Sequence, residues 1–148
     1  METMEQKLQA FFAKYEARTN RALAEPPVVD VEATAAAFAD YVVQANPNGV
    51  SGGANDETFR AVIPQGFAFY RAIGTEAMNI TGLAITPLDE QHSMTRVHWR
   101  AHYARPDGRR DAIDFDVIYF VQVRDETPRI FAYITGDEEK VYRERGLI

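Results

Sequence analysis

The feature that most constrains this chain is a change of period at Gly74. Before it, apolar residues recur at three-and-four spacing; after it, they alternate. Residues 77–88, 92–105, 110–124 and 128–135 read as four extended segments, separated by Asp89-Glu90, by Pro106-Asp107-Gly108-Arg109 and by Asp125-Glu126-Thr127. Connections this short force sequential segments to pair as antiparallel neighbours. The second half is therefore a meander of four long strands, and whatever helices exist must come first.

The first half supplies them. Residues 3–24 place Met4, Leu8, Phe11, Phe12, Tyr15, Thr19, Ala22 and Leu23 on one side of a helix, with Glu5, Lys7, Lys14, Glu16 and Arg18 between them. Pro26-Pro27 stops it, and Asp30 is placed to cap a second helix over Ala33 to Phe38. Tyr41 to Asn46 predicts a strand ending at the turn Pro47-Asn48-Gly49. Asn55 opens a third helical stretch in which Pro64, lacking an amide hydrogen, is expected to kink or split the helix. Asp137 to Arg145 reads as a short charged helix or arm, with Asp137-Glu-Glu-Lys a solvated terminus. Helices segregated ahead of an antiparallel sheet define an α+β class, with a curved sheet wrapped around three helices of the N-terminal half.

Composition excludes several classes of function. The 148 residues carry 16 basic against 22 acidic groups, a net charge of −6 without a concentrated basic stretch, which argues against nucleic acid as a partner. No apolar run approaches the ~20 residues that span a bilayer, so no membrane partner is expected. The start, Met1-Glu-Thr-Met-Glu, has neither a basic nor an apolar leader region, and the expected location is cytoplasmic. Zero cysteines remove disulfides, thiolate metal sites and cysteine nucleophiles. Gly52-Gly53 and Asn48-Gly49 lack a following Lys-Ser/Thr and give no phosphate-loop signal. No repeat or linker composition divides the chain, so one domain over residues 1–148 is expected.

Hairpin register sorts the sheet into faces. A two-residue Asp107-Gly108 turn pairs Pro106 with Arg109, and hence Arg96 with Tyr119, His98 with Val117, Arg100 with Phe115 and His102 with Ile113. On that register the opposite face carries Val97, Trp99, Ala101 and Tyr103 beside Asp114, Asp116, Ile118 and Phe120. Trp99, Tyr103, Ile118 and Phe120 would form a large exposed patch, which predicts a homodimer through the outer sheet face.

Phe38-Ala-Asp-Tyr-Val-Val-Gln-Ala-Asn-Pro-Asn-Gly49, lying between a two-helix start and a third helix, resembles the Phe-Ala-Asp-Asp … Asp-Pro-x-Gly stretch of the ketosteroid isomerases. These belong to the nuclear transport factor 2-like superfamily, together with SnoaL-like polyketide cyclases, limonene epoxide hydrolases and scytalone dehydratases. The element order matches from about residue 3 to 136. The resemblance implies a cone-shaped, cystatin-like α+β roll, a deep and mostly apolar pocket between helices and sheet, and a dimer. It also implies departures. The isomerases' aspartate base falls at Asn46, which takes no proton at neutral pH. Their protonated oxyanion-site aspartic acid falls at Tyr119, and their oxyanion tyrosine has a counterpart in Tyr15. The epoxide hydrolases' Arg-Val-Asp motif is similar to Arg96-Val97-His98, with histidine for aspartate, and their second aspartate falls near Tyr133.

Register and resemblance together nominate a pocket for a small, mainly apolar, oxygen-bearing molecule. His98 is the candidate acid/base for isomerisation, dehydration or cyclisation, because its ordinary pKa near 6.5 suits proton transfer. Tyr119 and Arg96 are the candidate oxyanion stabilisers. Tyr15, Asn46, His102, Phe115 and Val117 complete the expected ligand-binding set. His98, Arg100 and His102 share a face, but the interleaved arginines repel a cation, so neither a metal nor a cofactor is expected. The competing expectation is a non-catalytic dimerisation or interaction module, supported by the loss of both carboxylates.

Overall fold

A computed structural model describes residues 2–148. The elements run α1 (Met4–Leu23), α2 (Val31–Ala36), β1 (Phe38–Asn46), β2 (Gly49–Ala54), α3 (Glu57–Ala72), β3 (Thr75–Pro87), β4 (His92–Ala104), β5 (Arg110–Arg124), β6 (Thr127–Ile134) and α4 (Glu138–Glu144). The strands form one curved sheet in the order β2-β1-β6-β5-β4-β3, in which the β1–β6 pair is parallel and the rest antiparallel. This is the expected α+β class, with three of the four helices in the N-terminal half.

Local chemistry accounts for the helix ends. Thr3 caps α1 reciprocally: the Gln6 amide donates to the Thr3 hydroxyl at 3.1 Å, and the Thr3 amide donates to the Gln6 side chain at 2.9 Å. Asp30 accepts from the Ala33 amide at the start of α2, as expected. Asp56 rather than Asn55 caps α3. Asn55 instead donates from its side chain to the Ala35, Phe38 and Ala39 carbonyls, tying the α2–β1 junction to α3. Pro64 does not divide α3, which runs unbroken through it: one lost backbone bond is tolerated while its neighbours hold. Strand β2 carries no strand signal in the sequence. Its two central glycines weaken the strand signal, and pairing with β1 from Asn46↔Gly49 to Tyr41↔Ala54 supplies what intrinsic preference lacks.

The β4–β5 register differs from the expected one by a single residue. Ala104 pairs with Arg110, and the loop holds three residues, Pro106 to Gly108. The reason is proline chemistry. A two-residue turn would need Pro106 to donate an amide hydrogen to Arg109, and proline has none. Arg105 donates to the Arg109 carbonyl instead, at 2.8 Å. Pro106 takes the second position of a type I turn closed by Gly108 N–H to the Arg105 carbonyl (2.9 Å), and Gly108 adopts φ +87°.

Because side chains alternate, this one-residue slip moves all of β5 to the other side relative to β4. Val97, Trp99, Ala101 and Tyr103 now share the inner face with Ile113, Phe115, Val117, Tyr119 and Val121. Arg96, His98, Arg100 and His102 share the outer face with Asp114, Asp116, Ile118 and Phe120.

Helix α1 lies across the inner face. Leu8 and Phe12 are fully buried against Val97, Trp99, Val117, Tyr119, Val121 and Ile130. The same helix closes the β3 edge of the sheet. Between two bulges in that strand the Met78 amide donates to Asn20 at 2.8 Å, the Asn20 side chain donates to the Met78 carbonyl at 2.7 Å, and the Ile80 amide donates to Glu16 at 2.5 Å. Gly74 joins α3 to β3 with φ +94°, and its carbonyl accepts from the Ala104 amide at 2.9 Å.

Candidate functional site

A cavity of about 200 Å³ lies between the helices and the inner sheet face. Tyr15 and Thr19 reach it from α1, Phe67 and Tyr70 from α3, and Trp99, Phe115, Val117, Tyr119 and Tyr133 from the sheet. Phe38, Met78, Thr135 and Glu138 complete its wall. The wall is mainly aromatic, and its polar atoms are few and defined. Tyr15 packs against both Trp99 and Tyr119, with ring centres 6.2 and 6.0 Å apart, which sets two phenols side by side in the wall. Tyr133 donates to the Gln44 side chain at 2.6 Å, and Tyr70 donates to Glu138 Oε2 at 3.5 Å.

Burial dominates the electrostatics. Desolvation pushes Tyr15, Tyr70 and Tyr119 above the ordinary phenol value, and takes Tyr133 to about 12. All four hydroxyls therefore stay protonated through the neutral range and act as neutral hydrogen-bond donors. Desolvation also raises Glu138, opposed in part by the Tyr70 hydrogen bond. On the outer wall of α1, the Arg18 guanidinium lies 5.6 Å from the centre of the Tyr15 ring.

The expected site residues divide between the two sides of the sheet. Tyr15, Phe115, Val117 and Tyr119 line the cavity. Arg96, His98 and His102 do not: they stand on the outer face because β5 is paired one residue away from the assumed register. His98 Nδ1 bonds Asp116 at 2.5 Å, Arg96 reaches the same carboxylate at 3.4 Å, and Arg100 pairs with Asp114 at 2.7 Å. The His98 ring also covers Gly82, lying 3.0 Å from where a Cβ would stand. These are half-exposed surface pairs, and their chemistry does not reach the cavity. Trp99 and Tyr103, expected at an outer interface, are each 2% exposed on the inner face, while Ile118 and Phe120 do stand on the outer one. Asn46 sits at the β1–β2 turn, accepts from the Asn48 amide at 2.8 Å, and borders a separate depression at the cavity's flank.

Glu138 and Tyr70 are not among the residues the sequence nominates, and Tyr133 enters there only as the position near the epoxide hydrolases' second aspartate. For Glu138 a signal was present. It stands three and four residues before Val141 and Tyr142, so all three share one side of α4, and Tyr142 is buried.

This architecture and pocket define a class, and the comparisons agree. The family model described as "NTF2-like protein (DUF6841)" matches residues 4–138, and the chain belongs to that family. An NTF2-like protein with a cystatin-like fold from Novosphingobium aromaticivorans superposes with a TM-score of 0.66 at 14% identity, over 97% of this chain and 88% of that one. Aln2 from Streptomyces sp. gives 0.63 at 15% identity, over 97% of this chain and 100% of that one. A proposed scytalone dehydratase from Novosphingobium aromaticivorans gives 0.63 at 12% identity, over 88% and 80%. At these identities the likeness is one of fold. No match was found among the curated proteins. Among the described residues no helix is long and apolar enough to cross a membrane.

Proposed function

We propose that the chain binds a compact, mainly apolar molecule bearing at least one carbonyl or hydroxyl oxygen in the aromatic cavity, and that the bound state supports proton-transfer chemistry. The supporting observation is the pair of adjacent phenols, Tyr15 and Tyr119, in a mainly aromatic wall. An oxygen placed against the two phenols receives hydrogen bonds from donors that stay neutral and are fixed before it arrives, which favours charge developing on that oxygen. The volume sets the ligand's size. A cavity of about 150 Å³ accommodates one benzene ring, so about 200 Å³ takes a substituted ring or a small bicycle. Isomerisation, dehydration and cyclisation all pass through an enolate-like oxygen and fit this arrangement. One structural neighbour, a proposed scytalone dehydratase, is named for a reaction of that class.

The test uses 2-tetralone, a small bicyclic ketone, followed by protein-observed NMR. Saturable binding in the millimolar range or tighter is expected, with shifts at Tyr15, Val117 and Tyr119. Tyr119→Phe should weaken it by about 3- to 10-fold, the equivalent of one hydrogen bond of ~0.5–1.5 kcal/mol. Absence of saturable binding, or binding that Val117→Trp leaves intact in a folded variant, refutes the assignment.

The outer sheet face supports a second reading, a homodimer. Tyr41 (59% exposed), Val43, Val50 (74%) and Ile134 lie in register across β2, β1 and β6, an apolar stripe that a second copy would cover. A particle of ~17 kDa by light scattering would end that reading.

A further inference from the structure

We propose that Glu138 is the catalytic residue of this cavity, taking a proton from a carbon of the bound molecule and returning it. The inference rests on the cavity being a ligand site, as proposed above. It assigns the acid/base role to a side chain that the sheet does not supply.

The geometry carries it in three ways. Among the described residues lining the cavity, Glu138 is the one carboxylate, and no histidine or lysine joins it. Its side chain also stands where the main cavity meets a smaller chamber and a depression open to solvent, so it faces both a bound molecule and a source of exchangeable protons. It is unpaired as well. Glu139 reaches Arg143 at 2.5 Å, Glu144 faces Lys140 at 3.9 Å, Asp137 caps the Lys140 amide, Asp111 meets Arg105 and Arg145, and Asp114 meets Arg100. Glu138 has no cation within ion-pair distance among the described residues, and its hydrogen bond from Tyr70 is long, at 3.5 Å. A carboxylate partly withdrawn from water without a cation costs stability that a glutamine of the same shape would largely avoid. Packing therefore does not explain the choice of residue, and proton transfer does.

The groups facing it keep its charge free to change. Tyr70 from α3, Tyr103 from β4, Tyr133 from β6 and Tyr142 from its own helix are phenols raised by burial, and stay uncharged through neutral pH. Asp137 and Glu139 flank it in sequence, and Asp114 lines the adjoining chamber. Desolvation raises Glu138 itself, which makes its carboxylate the stronger proton acceptor. With a ketone bound, a Glu138 carboxylate oxygen takes an α-proton, the C–H electron pair becomes the carbon–carbon double bond, and the carbonyl π pair moves to oxygen, where Tyr119 and Tyr15 hold it. The carboxylic acid then returns a proton to carbon. Nothing is oxidised or reduced.

The experiment is hydrogen–deuterium exchange at the α-carbons of 2-tetralone in D₂O, read by ¹H NMR beside its binding. The wild type should exchange the ketone faster than buffer. Glu138→Gln should bind it within about 2-fold of wild type and lose the acceleration by ~10²-fold or more. Exchange by Glu138→Gln within 2-fold of wild type, with binding intact, overturns the role of Glu138 and leaves the pocket standing. Failure of the wild type to bind overturns the pocket reading instead. In that event ¹³C-detected titration of labelled glutamate decides for Glu138: a carboxyl titrating above Glu139 upholds an unpaired buried acid, and one titrating with Glu139 overturns it.

Discussion

Gly74→Ala tests the junction at which the chain turns from helix to sheet. At φ +94° an L-residue is strained, by ~1–2 kcal/mol for the left-handed region. The added Cβ would also stand 2.3 Å from the Ala104 carbonyl oxygen, well inside the shortest tolerated approach of 3.0 Å. That oxygen is backbone at the end of β4, which is paired on both sides, and must retreat by roughly 0.7 Å. The retreat strains the neighbouring Ala104 N–H to Gly74 carbonyl bond, worth about 0.5–1.5 kcal/mol. Together these predict a loss of ~1.5–3.5 kcal/mol. For a chain of this length that lowers the melting temperature by roughly 5–15 °C. Urea unfolding followed by circular dichroism measures it, with Gly53→Ala as the control, since nothing lies within 4 Å of a Cβ at Gly53. A loss below 1 kcal/mol for Gly74→Ala, or equal losses for the two variants, would refute the close-approach argument.

Three further outcomes are expected. The β5–β6 turn holds Asp125 at φ 51° and Glu126 at φ 66°, so Asp125→Asn with Glu126→Gly should stabilise by ~1 kcal/mol in denaturant melts, even after losing the exposed Lys7–Glu126 pair. Glu138 has its folded pKa raised, so the folded state binds more protons and loses stability as pH rises from the unfolded value near 4.3 through the folded one. Glu138→Gln should accordingly raise the urea midpoint at pH 7 and leave it unchanged at pH 3.5, where both chains carry a neutral group. His98→Ala should cost less than ~1 kcal/mol and leave 2-tetralone binding untouched, since its hydrogen bond with Asp116 is half exposed on the outer face.

The succession of elements was legible because its signals are local. Leu8, Phe12, Tyr15 and Thr19 mark the buried side of α1, Asp30 caps α2, and short polar turns separate β3 to β6. The site was less legible because it depends on relations between strands. A one-residue difference in a single turn exchanged which side of β5 accompanies His98 and which accompanies Trp99. The information was present in Pro106, whose missing amide hydrogen forbids the tighter turn. Strand β2 was hidden by its glycines, since its pairing with β1 is tertiary. Glu138 was hidden by its company: a run of charges reads as solvent-facing until the helical phase of Val141 and Tyr142 is laid over it.

The hydrogen bonds from Glu16 and Asn20 to the β3 backbone make the two ends of the sheet chemically unequal. At β3 the main-chain groups of Met78 and Ile80 are already engaged by side chains from α1, so an incoming strand finds its partners taken. At the far end β2 presents Gly49 to Ala54 wholly exposed, with no strand beyond it. Any extension of this sheet, whether by a swapped segment, an extended peptide or an aggregating neighbour, therefore has a direction, and it begins at β2.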